Sequence, residues 1–128
     1  MTVDLGMKFM IVDDYPTMLR VLKSLLRQLK FSNVDEATNA SDALEQLKGG
    51  GYDMVISDWN MEPMSGFELL QEVRADENLK DLPFILVTAE SRTENVIAAK
   101  RAGVSNYIIK PYTAETLKTK LVSVLGDF

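Results

Sequence analysis

The chain contains no cysteine and no histidine. Without cysteine there is no disulfide framework and no thiolate metal centre, and without histidine both the usual general base and the commonest zinc ligand are missing. Any chemistry therefore falls to carboxylates, hydroxyls and lysine. Basic residues are in deficit, 14 against 19 acidic ones, so the field of the molecule repels phosphate backbones and nucleic acid is not an expected partner. Long apolar runs are absent as well. The first apolar stretch, Met7 to Val12, is interrupted by Lys8, follows Asp4 and runs into Asp13 and Asp14. That is unlike a signal peptide, and no run approaches membrane-spanning length. A cytoplasmic protein without a membrane partner is expected. No linker, low-complexity tract or fixed-period repeat divides the sequence. Its 128 residues, 46% of them apolar, suffice for one core. A single domain over residues 1–128 is expected, with residues 1–6 as a flexible tail, and a monomer.

Short apolar runs rich in branched residues occur at Phe9 to Val12, Met54 to Ile56, Phe84 to Val87 and Tyr107 to Ile109. They read as buried parallel strands, and a weaker strand surrounds Val34. Between them the period changes. Met18, Leu22, Leu25 and Leu29, flanked by Val21 and Leu26, form a helical stripe after Pro16, a good first-turn residue. Asn39 caps a second helix through Ala43, Leu44 and Leu47, which the glycines from Gly49 to Gly51 stop. Ser65 with Glu68 makes a capping box ahead of Leu69, Leu70 and Val73; Ser91 with Glu94 repeats it ahead of Val96, Ile97 and Ala99, in a helix that ends near Gly103. Thr113 caps a last helix carrying Leu117, Leu121 and Val124. Strict alternation of strand and helix implies an α/β fold, a doubly wound five-stranded parallel sheet with five helices on its two faces. The flavodoxin-like strand order 2-1-3-4-5 is taken over from that class of fold, not read from spacing.

In open parallel sheets functional groups gather beyond the carboxyl ends of the strands. Here the first strand delivers Asp13 and Asp14, the third Asp58, the fourth Thr88 and the fifth Lys110. With the assumed order the three aspartates converge. Nearby carboxylates repel unless a cation lies among them or some are protonated, and oxygen-only ligands favour Mg2+. Asp58, the central acid, is the natural nucleophile toward phosphorus, with Lys110 and Thr88 stabilising phosphoryl oxygens. Singly, each residue has a plainer role: Asp13 and Asp14 as a solvated turn or cap, Lys110 before Pro111 as a turn, Thr88 as a strand end, Tyr107 as packing. Only their joint placement points to chemistry.

Asp13 and Asp14, Asp58, Thr88 with Ala89, and Lys110 with Pro111 together resemble the signature of response-regulator receiver domains, over nearly the whole chain. The run from Ile56 through Ser57, Asp58, Trp59, Asn60 and Met61, together with Glu90, Asn95, Ala98, Ala99, Gly103 and Tyr107, is similar to the CheY-like chemotaxis branch of that family. The resemblance implies phosphorylation of Asp58 by a partner histidine kinase and magnesium held by Asp14, Asp58 and the Asn60 carbonyl, with Asp13 acting through water. It also implies Lys110 on a phosphoryl oxygen, a Thr88 and Tyr107 switch pair, and an output face with Arg92, Val96, Tyr107 and Lys120. A flagellar motor switch protein is the implied target, a phosphatase a further partner, and the Lys110–Pro111 peptide is expected to be cis. Self-catalysed phosphoryl transfer and autodephosphorylation are expected, but not the activity of a classical enzyme. Glu62 before Pro63 departs from the family pattern, in which proline commonly follows the methionine. Ser65 replaces a common aspartate, and Leu19 lies at the edge of the first helix's stripe. A haloacid-dehalogenase-type phosphatase would want an acid where Asn60 stands, and a flavin module would be repelled by Asp13 and Asp14. A phosphate sink that drains the kinase without binding the motor shares all the chemistry and is the alternative.

Overall fold

The computed structural model describes residues 5–89 and 92–126. Strands and helices alternate as β1 (Phe9–Val12), α1 (Pro16–Gln28), β2 (Val34–Ala37), α2 (Ala40–Lys48), β3 (Met54–Asp58), α3 (Gly66–Ala75), β4 (Phe84–Thr88), α4 (Thr93–Arg101), β5 (Asn106–Ile109) and α5 (Ala114–Leu125). The sheet is parallel throughout, in the order β2-β1-β3-β4-β5. The expected fold and order are both observed. No helix among the described residues is long and apolar enough to cross a membrane.

Side-chain alternation along the central strands feeds two cores. Met10, Val12, Val55, Phe84 and Leu86 pack with Ala43 and Leu47 of α2, Leu69, Leu70 and Val73 of α3, and Ala99 of α4. Phe9, Ile11, Ile56, Ile85 and Val87 meet Leu22 and Leu26 of α1 and Leu117 and Leu121 of α5 on the opposite face. Phe9 also packs on Phe31, with ring centroids 4.9 Å apart; each such buried side chain contributes about 1.5–3 kcal/mol.

Local chemistry sets the helix ends. Asn39 accepts from the Asp42 N–H (2.8 Å), Ser65 and Glu68 form the reciprocal capping box, and Thr113 accepts from the Thr116 N–H. Lys30, at φ 77°, takes the left-handed conformation that ends α1, and the Phe31 N–H reaches Leu26 O at 2.9 Å.

Three expectations need correction. The buried stripe of α1 runs through Leu19, Leu22 and Leu26, while Val21 is exposed, because the helix meets the sheet about one residue off the assumed centre of its apolar arc. Leu19, at the edge of that arc, packs in the core, as one of its two readings, packing or a docking contact, has it. In α4 only Ala99 is fully buried and Ile97 is exposed, since Ile97 lies on a different face from Ala99. That helix has its N-cap at Arg92, whose own side chain does not cap it; the expected Ser91–Glu94 box falls on Ser91, which lies outside the described residues. β5 is an edge strand, and only Ile108 is fully buried. Of the N-terminal residues expected to form a tail, 1–4 lie outside the described residues, and the Gly6 carbonyl accepts from Asn33 Nδ2 at 3.2 Å.

Candidate functional site

Register brings the strand ends together. Val12 pairs with Ser57, Asp58 with Val87, and Thr88 with Ile109. Backbone bonds carry the ladder one residue further: Asp13 N–H to Ala37 O (3.2 Å), Trp59 N–H to Val87 O (2.8 Å) and Lys110 N–H to Thr88 O (2.8 Å). The loops bearing the acids and the lysine are therefore anchored at their first residue.

Asp13, Asp14 and Asp58 each offer a carboxylate oxygen, and these oxygens lie within 4.8 Å of one another; Asp13 and Asp58 are buried and Asp14 is exposed. Lys110 Nζ stands 2.8 Å from Asp58 Oδ1 and 3.9 Å from Asp13 Oδ2. Asp13 Oδ1 accepts from the Tyr15 N–H at 2.9 Å. Burial, opposed by that N–H and reinforced by Asp58, pushes the Asp13 carboxyl up to about 6. Asp58 Oδ1 is buried and accepts no directed hydrogen bond, so its contact with Lys110 is an ion pair by distance alone. A buried carboxylate oxygen short of a directed donor, beside two further carboxylates and with one arm open to solvent, fits a hard cation that prefers oxygen ligands.

The remaining expected residues are placed around this centre. Thr88 is buried at the end of β4. Asn60 lies beside Asp14 on an open cleft of about 400 Å³, lined also by Trp59, Met61, Glu62 and Ser65. Tyr107 is half-buried on β5, away from the acids in sequence, with Lys120 Nζ 5.0 Å from its ring centroid. Arg92 is exposed at the start of α4 and Val96 is half-buried; Ile97 and Ile109 add exposed apolar surface to α4 and β5. The Lys110–Pro111 peptide is cis, as the resemblance implies, and so is Glu62–Pro63. Glu90 lies outside the described residues.

Sequence reading assigned no structural role to several supporting residues. Ser57 is fully buried and its Oγ donates to the Asp58 carbonyl at 3.0 Å, so β3 continues two residues beyond its apolar run. Gly66 donates to the Trp59 carbonyl at 2.9 Å, and a Cβ there would stand 1.9 Å from the Asp58 carbonyl oxygen. A glycine directly after a capping serine was the available signal. Trp59 stacks on Phe67 with centroids 5.1 Å apart. Tyr112, half-buried after Pro111, is pushed up to about 12 by burial and by the charges of Asp13 and Asp58.

Residues 9–122 match the family model of the response regulator receiver domain. The chain is 53% identical over 116 residues to the chemotaxis protein CheY-3 of Vibrio cholerae, covering 91% of this chain and 89% of that protein. It is 48% identical over 118 residues to the chemotaxis protein CheY of Pseudomonas aeruginosa, covering 92% and 95%. Among solved structures, chemotaxis protein CheY4 of V. cholerae superposes with a TM-score of 0.87 at 30% identity, over 94% of this chain and 99% of that one. The receiver domain of the sensor histidine kinase PA1611 of P. aeruginosa, solved with a magnesium ion coordinated in its active-site cleft, gives 0.84 at 25% identity, over 95% and 99%. This combination is that of a signalling receiver rather than a classical enzyme, and the chain belongs to the response regulator receiver domain family.

Proposed function

We infer that this protein is a cytoplasmic response regulator of the chemotaxis type, phosphorylated on Asp58 by a partner histidine kinase with Mg2+ bound. The observation that carries this reading is the meeting of three carboxylates with one lysine: Asp13, Asp14 and Asp58 within 4.8 Å, and Lys110 Nζ 2.8 Å from Asp58. An Asp58 carboxylate oxygen bonds to phosphorus as the donor imidazole leaves with the electron pair of the P–N bond. The Lys110 ammonium offsets charge on the phosphoryl oxygens, and the Thr88 hydroxyl donates to one of them. Asp14, Asp58 and the Asn60 carbonyl would hold the cation directly, with Asp13 acting through water; bound Mg2+ supplies charge neutralisation and orientation.

Output follows by protein binding at α4, β5 and α5. Thr88 moves toward the phosphoryl group and Tyr107 turns inward, a shift between two packed states that alters the surface carrying Arg92, Val96 and Lys120. Exposed Ile97 and Ile109 on α4 and β5 support a protein-binding output, for which a flagellar motor switch protein is the target and a phosphatase ends the signal.

Trp59, next to Asp58, reports the reaction. Acetyl phosphate with magnesium is expected to change its fluorescence and to yield an acid-labile phosphoprotein by mass; Asp58→Asn should abolish both. A wild-type protein that acquires no phosphoryl group overturns the reading. Phosphorylation without any gain in capture by motor switch protein would assign the chain to the phosphate-sink role.

A further inference from the structure

The ≈ 400 Å³ cleft leading to the acid cluster has two charged residues in its lining, Asp14 and Glu62, and both are acidic. Lys110, the cation of the site, is engaged by Asp58 and Asp13. Glu62 is exposed and makes no ion pair or hydrogen bond among the described residues. Its backbone is nevertheless held on both sides: Met61 is buried before it, and Ser65 opens the capped α3 after it. The backbone that carries Glu62 is therefore held at the cleft.

We propose that Glu62 is a specificity-determining residue for the phosphodonor, a negative charge on the cleft that it shares with Asp14 of the acid cluster, which disfavours small, highly charged donors. This rests on Asp58 being the phosphoacceptor. With acetyl phosphate, an Asp58 carboxylate oxygen bonds to phosphorus while the bond from phosphorus to the acyl oxygen breaks, and acetate leaves with the electron pair. With phosphoramidate the P–N bond breaks and ammonia leaves from its already protonated nitrogen. Neither donor brings compensating protein contacts, so each meets the charge of the cleft unaided. At neutral pH the first arrives as a dianion and the second as a monoanion. Repulsion from one carboxylate across a separation on the order of 10 Å slows a dianion about two- to threefold at low salt, slows a monoanion less, and fades with ionic strength.

The experiment measures phosphorylation rates of the full chain with acetyl phosphate and with phosphoramidate, in wild type, Glu62→Gln and Glu62→Asp, at low and high salt. Glu62→Gln is expected to raise the acetyl phosphate rate about two- to threefold at low salt, to raise the phosphoramidate rate less, and to lose the gain at high salt. Glu62→Asp, which keeps the charge, should follow wild type. Magnesium affinity, read from Trp59 fluorescence, should be unchanged or weaker in Glu62→Gln. Equal effects on both donors, a gain that persists at high salt, or a gain that accompanies tighter magnesium binding overturns the proposal. A wild-type protein phosphorylated by neither donor overturns the phosphoacceptor reading itself.

Discussion

Gly66 touches the backbone beneath the acid cluster. Its N–H holds the Trp59 carbonyl, and the missing side chain leaves room for the Asp58 carbonyl oxygen, which a Cβ would approach to 1.9 Å. That neighbour is backbone and cannot swing aside. Gly66→Ala is therefore expected to destabilise the fold by about 3 kcal/mol, the upper end of the usual range for overpacked sites, and to shift Trp59 emission as the β3–α3 connection moves. Urea unfolding with fluorescence detection checks this, and wild-type stability in the variant contradicts the close-approach account.

At the scale of the element, α3 is the best anchored helix at the site. Ser65 Oγ accepts from the Glu68 N–H and Glu68 Oε1 accepts from the Ser65 N–H, both at 3.1 Å. Ser65→Ala should cost about 1 kcal/mol, the usual value of an N-cap, read as a lower urea midpoint with unchanged slope. The contrast is α4, whose N-cap Arg92 supplies no side-chain cap and which buries only Ala99 fully. A helix so lightly held beside an edge strand is the element suited to movement, in keeping with the output role proposed for it.

Across the whole molecule, polar networks occupy both ends of the sheet. At the end opposite the acids, the Tyr52 hydroxyl donates to Asp35 Oδ2 at 2.6 Å, and Lys8 lies 3.4 Å from that oxygen and 4.6 Å above the Tyr52 ring. Burial and the Asp35 bond push Tyr52 up to about 12, the level that burial also imposes on Tyr112. The folded state thus binds these phenolic protons more tightly than the unfolded chain, where tyrosine titrates near 10. The stability they contribute is complete below about pH 10 and is lost as pH rises toward about 12. The urea midpoint of the wild type should fall across that window, and Tyr52→Phe with Tyr112→Phe should flatten the fall. A double variant with the wild-type slope contradicts this assignment.

The alternation of strand and helix, the caps at Asn39, Ser65 and Thr113, and the set of strand-end residues Asp13, Asp14, Asp58, Thr88 and Lys110 were all legible in the sequence. They depend on local period, local hydrogen bonds and chain order, which a one-dimensional pattern carries. Strand order was not legible, because it depends on which hydrophobic faces meet across connections of a dozen or more residues. The convergence of the aspartates followed from that order. Likewise, Leu19 became core and Ile97 surface only when helix rotation against the sheet was decided by packing. Gly66 acquired its place from contacts with the end of β3, so residue types and spacing determined what chemistry the chain could assemble, and tertiary packing alone decided which groups stand within reach of Asp58.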